Sequence, residues 1–128
     1  MTGEVWLLMN LAGDANGISI LADPQRDVHS AMARRMFPSV IPADMPEMEI
    51  KKKFKVLRDA AKPVTFGVPY QRGPEAIARQ LNREAANRGD PTRYTKEDGA
   101  GFINAYRENF PDAWAYLERQ MACVSRPG

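Results

Sequence analysis

The stretch from Met48 to Lys62, MEIKKKFKVLRDAAK, decides the fold class. Ile50, Phe54, Leu57 and Ala61 fall at spacings of four, three and four, the repeat that puts apolar side chains on one face of an α-helix. Lys51, Lys55, Arg58 and Lys62 repeat the same spacing from the next residue on, so their charges form a second stripe along that helix. The pattern predicts one amphipathic helix that presents a row of cations.

Working outward, Pro38, Pro42 and Pro46 punctuate a loop before this helix. Upstream of the loop, Asp27 is placed to cap a helix from Val28 to Met36 that Pro38 stops, with His29 in its first turn. Glu4 to Ala12 reads as a short helix ending near Gly13, apolar on most faces and so expected to be buried. Downstream, Gly73 and Pro74 open a helix carrying Ile77, Ala78, Leu81 and Ala85 that ends near Gly89. Thr95 and Asp98 form a capping-box pattern before a helix with Phe102, Tyr106 and Phe110 in register. Pro111 opens the last helix, with Trp114, Leu117, Met121 and Val124 on its apolar face. No alternating strand pattern occurs, so the expected class is mainly α: six to seven helices, no substantial sheet, one domain over residues 1–128.

Composition excludes several classes. The chain has 128 residues, 44% hydrophobic and 27% charged, enough for one packed core and too ordered in composition for a disordered segment. The balance of 18 Lys and Arg against 16 Asp and Glu gives a formal charge of +2, so any nucleic-acid role must rest on where the charges lie. One cysteine, Cys123, and one histidine, His29, exclude an internal disulfide and a Cys/His zinc cluster, and Cys123 reads as an inert thiol in an apolar helical stretch. The longest apolar run, Val5 to Leu11, is far too short to cross a bilayer, and no basic leader is evident, so a cytoplasmic location without membrane contact is the default expectation.

The chemistry is carried by the region from Arg58 to Tyr70. Cations one helical turn apart suit a polyanion such as a nucleoside triphosphate, and Arg58 and Lys62 have that spacing. Phe66 and Tyr70 follow at further steps of four, where rings could pack on a sugar and a base. Taken by itself the cation stripe reads first as a solvated helix face, and Phe66 and Tyr70 are equally core aromatics.

The segment Arg58-Asp-Ala-Ala-Lys62-Pro-Val-Thr-Phe66-Gly67-Val-Pro-Tyr70 resembles the fingers-helix motif of family A DNA polymerases, Arg-x3-Lys-x3-Phe-Gly-x2-Tyr-Gly. Four further segments are collinear with it, among them Ala76-Ile77-Ala78-Arg79-Gln80-Leu81, which is similar to the segment that follows the motif. Asp27-Val28-His29 resembles the family's Asp-Ile-His segment. Tyr106-x3-Phe110-Pro111 with Tyr116 is similar to a later helix pair, and Glu4 to Asp14 resembles the stretch after the first catalytic aspartate. The resemblance implies that Arg58, Lys62 and His29 bind the triphosphate of an incoming deoxynucleotide, that Phe66 lies near the sugar and Tyr70 by the templating base, and that Glu4 stands at the sugar-discriminating position. It also implies primer-template DNA as a partner and Mg2+ as the cofactor of the intact enzyme.

The aspartates that hold magnesium in that family are not identifiable in this chain. They are expected just before Met1 and beyond Gly128, so no catalytic or metal-binding residue is assigned and little turnover is expected from the chain alone. Three residues depart from the motif. Pro63 removes an amide directed at Asp59 and is expected to kink the helix, Pro69 repeats the problem beside Tyr70, and Gln71 replaces the family's Gly. The implied function is that of a polymerase fragment that binds the incoming deoxynucleotide. The alternatives are a stand-alone basic helical module that contacts nucleic-acid phosphates, and one half of a split polymerase whose missing palm segments lie on a partner chain. An apolar first helix without its partner is further expected to promote self-association.

Overall fold

The computed structural model describes the backbone of residues 2–125 and the side chains of residues 5–120. The expectations for the side chains of Glu4, Met121, Cys123 and Val124 therefore lie outside the described residues. Within them the chain is helical and has no strand. The helices are α1 (Thr2–Ala12), α2 (Ala15–Ala22), α3 (Val28–Met36), α4 (Glu47–Lys53), α5 (Lys55–Gly67), α6 (Pro74–Asn87), α7 (Lys96–Asn109) and α8 (Pro111–Ser125), with a 3-10 turn, Val68–Tyr70, directly after α5. None is long and apolar enough to cross a membrane.

Helix α3 is the centre of the packing. It lies against α5 and α7, while α6 packs on α7 and α1 packs on α2 and α8. Met32, Ile50, Val64, Ile77, Tyr106 and Phe110 are fully buried between these helices. Each such side chain contributes about 1.5–3 kcal/mol by leaving water, and this burial rather than helix propensity holds short helices together.

The predicted punctuation is found where local chemistry sets it. Asp27 caps α3 by accepting from Ser30 N at 3.0 Å. Thr95 and Asp98 close a full capping box on α7, with Asp98 N on Thr95 Oγ1 at 3.1 Å and Thr95 N on Asp98 Oδ2 at 2.8 Å. Gly13 and Gly89 both take positive φ, 67° and 73°, at the ends of α1 and α6.

Elsewhere the sequence pattern misleads. The single helix expected over Met48 to Lys62 is two, broken at Phe54, whose φ of −122° and ψ of 47° turn the chain. The break loses few hydrogen bonds, because Phe54 N still donates to Ile50 O at 2.8 Å and its carbonyl accepts from Arg58 N at 2.9 Å. Lys51, Lys52 and Lys53 then fall in the last turn of α4, where they complement its negative end. The row of cations is therefore split, with Lys51 on α4 and only Lys55, Arg58 and Lys62 on α5. Phe37 and Phe110 end α3 and α7 in nearly the same backbone conformation as Phe54. Helix α2 was not expected at all, and together with the break at Phe54 it raises the count to eight α-helices among the described residues.

Helix α1 was expected to be buried on most faces, but only one face is. Val5 and Met9 are in the core, whereas Trp6, Leu7 and Leu11 are exposed. Its C-terminus leads into Asp14, which is 1% exposed and serves two helices. Oδ1 accepts from Gly17 N at 2.9 Å at the start of α2, and Oδ2 accepts from Asp112 N and Ala113 N, both at 3.0 Å, at the start of α8.

Helices α6 and α7 approach closely at Gly99. A Cβ there would lie 2.2 Å from the carbonyl oxygen of Pro74, a backbone atom that cannot rotate away. Gly99→Ala is expected to force the two helices apart and cost about 2 kcal/mol, within the range for overpacking a closed interface. Urea denaturation measures this directly, and a midpoint equal to the wild-type value would show that the helices separate freely.

Candidate functional site

A cleft of ≈ 470 Å3 opens beside the second half of α5. Lys62, Phe66 and Tyr70, spaced one turn apart in sequence, all line it, along with Asp59 and with Arg72, Gln80 and Glu84 from the far side. Phe66 is half-buried and Tyr70 is 66% exposed, so the two rings grade from core to solvent along the cleft.

Pro63 lies inside α5 and is buried, yet the helix continues through it from Lys55 to Gly67. The kink expected there does not end the helix, and Lys62, Phe66 and Gly67 remain on one continuous element. Pro69 causes less disruption than expected because the α-helix stops at Gly67. It falls at the start of the 3-10 turn, where a missing N–H is tolerated. Gln71 has φ 62° and ψ 31°, the left-handed conformation, and its N–H closes the turn on Val68 O at 2.9 Å. The motif's Gly thus coincides with a position whose backbone favours Gly, and Gln71 occupies it at a cost of about 1–2 kcal/mol.

Arg58 does not line the cleft. Its guanidinium grips Asp27 with two hydrogen bonds, Nε to Oδ2 at 2.6 Å and Nη2 to Oδ1 at 3.1 Å, and its side chain is 15% exposed. Burial pushes the Asp27 carboxyl up, but the hydrogen bonds from Arg58 and Ser30 and the Arg58 charge outweigh it and hold the carboxyl at about 2. The Arg58 guanidinium is raised by the same hydrogen bond to Asp27. One carboxylate therefore caps α3 and anchors α5 to it.

Asp59, one residue on, gathers the remaining cations of α5. Lys62 Nζ lies 3.2 Å away, Lys55 Nζ 3.6 Å and Arg58 Nη1 3.9 Å. Arg58 thus joins the cleft only through Asp59. A parallel set surrounds the buried Glu47, which takes two hydrogen bonds from Arg26 Nε at 2.9 Å, one from Asp27 N at 2.8 Å, and an ion pair with Arg34 at 3.7 Å.

His29 is buried rather than surface-placed, at 5% exposure. Its ring meets Phe66 edge-on with centroids 5.2 Å apart, and its Nδ1 has no hydrogen-bond partner. Burial, and then the nearby Arg58 cation, push the imidazole down to about 4, so it is neutral at pH 7. His29 in this form backs Phe66 and offers no positive charge. Of the six residues singled out in sequence, the fold brings Lys62, Phe66 and Tyr70 into one cleft, sets His29 behind Phe66, and draws Arg58 toward Asp27. The side chain of Glu4 lies outside the described residues.

Asp59 and Arg72 were not anticipated at the site. Asp59 was legible, since it stands four residues after Lys55 and three before Lys62, the spacings of helical ion pairs. Arg72 was not, because it enters the cleft through the turn at Gln71 and a side-chain hydrogen bond to Gln80.

The chain is similar to a segment of DNA polymerases. It is 31% identical over 129 residues to the DNA polymerase of Escherichia phage T5, covering 92% of this chain and 15% of that protein. It is 29% identical over 125 residues to the thermostable DNA polymerase I of Thermus aquaticus and 26% identical over 125 residues to DNA polymerase I of Borreliella burgdorferi, covering 98% of this chain and 12% of each polymerase. No model of a protein family matches the chain. This polymerase-like segment spans between 12 and 15% of the length of those relatives, and the likeness extends over nearly all of it.

Proposed function

We propose that this chain is the fingers segment of a family A DNA-directed DNA polymerase, and that its cleft takes the incoming deoxynucleoside triphosphate. The observation that carries the reading is the shared cleft of Lys62, Phe66 and Tyr70 in a chain similar along its length to DNA polymerases. In this reading the Lys62 ammonium meets the phosphates, Phe66 packs on the sugar and Tyr70 borders the nascent base pair. Arg58 reaches the phosphates only by releasing Asp27, which loosens the anchor between α5 and α3. Glu4, at the start of α1, takes the sugar-discriminating position.

The split of the cation row supports a local phosphate site over a long backbone-tracking surface. Lys51 sits on a separate helix, so the cations of α5 serve one compact ligand rather than a run of phosphodiesters. Among the described residues no group of three or more His, Cys, Asp or Glu is placed to hold a metal ion. The Mg2+ ions that would activate the primer hydroxyl and stabilise the leaving phosphates would then be held by palm residues of the parent polymerase, with primer-template DNA running past this segment.

A residue-resolved NMR titration with a deoxynucleoside triphosphate at low salt tests the reading. Shifts are expected at Lys62, Phe66, Tyr70 and Arg58, with Lys51 to Lys53 unaffected. Equal shifts on α4 and α5, reproduced by an oligonucleotide, would replace the nucleotide site with a general phosphate-binding surface.

A further inference from the structure

We propose that Asp59 is a specificity-determining residue of the cleft, one that makes it favour a terminal phosphate over a phosphodiester. The inference rests on the nucleotide reading above and adds to it a rule for which phosphates are accepted.

The basis is how the cations of α5 are already occupied. Arg58 has committed Nε and Nη2 to Asp27. Lys62 and Lys55, whose side chains are 43% and 78% exposed, are the groups free to turn toward a ligand. Both are drawn to Asp59, as is the outer nitrogen of Arg58, at 3.2, 3.6 and 3.9 Å. Asp59 is itself on the wall of the cleft. Its carboxylate therefore stands where a phosphate oxygen would have to stand to reach the same three cations.

An incoming phosphate must compete with that carboxylate, and its charge decides the result. A phosphodiester in a nucleic-acid strand carries a single negative charge, no more than the carboxylate it would displace. The exchange gains nothing electrostatically, and it leaves Asp59 without its partners beside a like charge. A terminal phosphate carries about −1.5 to −2 at pH 7 and has three acceptor oxygens for the same cations. It outcompetes a carboxylate where a diester does not. Asp59 thereby admits the end of a triphosphate chain and rejects the backbone of a passing strand, which a bare cluster of Lys55, Arg58 and Lys62 would also hold, with a smaller preference between the two.

The test compares the wild-type chain with Asp59→Asn, a nearly isosteric change at a half-exposed position. Dissociation constants are measured at low salt without divalent cations for a deoxynucleoside triphosphate and for a single-stranded oligothymidylate with unphosphorylated ends. Wild-type protein is expected to prefer the triphosphate. Asp59→Asn is expected to bind the oligonucleotide several-fold more tightly while triphosphate binding changes less, so the preference shrinks. An unchanged preference, or weaker binding of both probes, overturns the proposal. Lys62→Ala separates the two levels of the inference. If it leaves triphosphate binding intact, the nucleotide site itself is wrong. If it abolishes binding while Asp59→Asn leaves the preference untouched, only the role of Asp59 is wrong. A folded wild-type chain that binds neither probe overturns both.

Discussion

Asp14→Ala is expected to lower the unfolding free energy by about 3–4 kcal/mol, because three amides at the starts of two helices, two of them buried, lose their acceptor at once. The amides of Gly17, Asp112 and Ala113 all point at this carboxylate. The side chain is 1% exposed, so water cannot replace it without opening the packing. Against a typical total of about 5–15 kcal/mol, the loss is a large share of what holds the fold. The melting temperature should fall by about 10 °C. Asp14→Asn keeps one acceptor oxygen and should recover part of the loss. A change in Asp14→Ala of less than about 0.5 kcal/mol would mean that the two helix starts are held by other contacts.

The second large effect is on pH dependence, and it comes from His29. The folded imidazole is held near 4 against 6.5 in the unfolded chain, mainly by burial and then by Arg58. A group held neutral in this way contributes stability that is fully present above 6.5. Between 6.5 and about 4 the unfolded chain binds more protons, so stability falls with pH across that window, by about 2–3 kcal/mol in all. Asp27 acts in a separate window. Its contribution is present above its unfolded value of 3.8 and is lost as pH falls through about 2. It amounts to about 1 kcal/mol, since solvent at the edge of the pair screens it. His29→Phe retains the ring contact with Phe66 and removes the titration, so its urea midpoint should change little between pH 7 and pH 5 while that of the wild type declines. Parallel declines in both proteins would assign the pH dependence to other groups.

Much of the fold was legible because local chemistry sets its boundaries. Asp27, Thr95 with Asp98, Gly13 and Gly89 act on amides and carbonyls within a few residues, and each ends or begins a helix where the sequence predicts. Phe54 was illegible for the opposite reason. The apolar periodicity runs straight through it, neither Gly nor Pro marks it, and only the packing of α4 and α5 around the core requires a turn there. Helix α2 went unnoticed because Gly17, Ile18 and Ile20 are poor helix formers. What holds it is the Asp14 cap and the contact of Gly17 with Met9, where a Cβ would lie 2.3 Å from the sulfur. At the site, the spacing of four pointed to Lys62, Phe66 and Tyr70 as neighbours, and the three line one cleft although Tyr70 lies beyond the end of α5. That spacing could not reveal that Asp27, thirty-one residues upstream of Arg58, draws that guanidinium away from the cleft, nor that His29 lies buried behind Phe66.

The proline in the middle of α5 also has a mechanical meaning. Pro63 has no amide to give, so the carbonyl ladder of the helix lacks one rung between its two halves. The first half is moored to α3 through Arg58 and Asp27. The second half bears Phe66 and leads to the turn that carries Tyr70. Flexing at the missing rung strains one backbone hydrogen bond fewer than it would in a helix without proline. The rings of the cleft can therefore tilt against the anchored guanidinium more cheaply than an unbroken helix would allow, which gives this rod a soft joint between its charged half and its aromatic half.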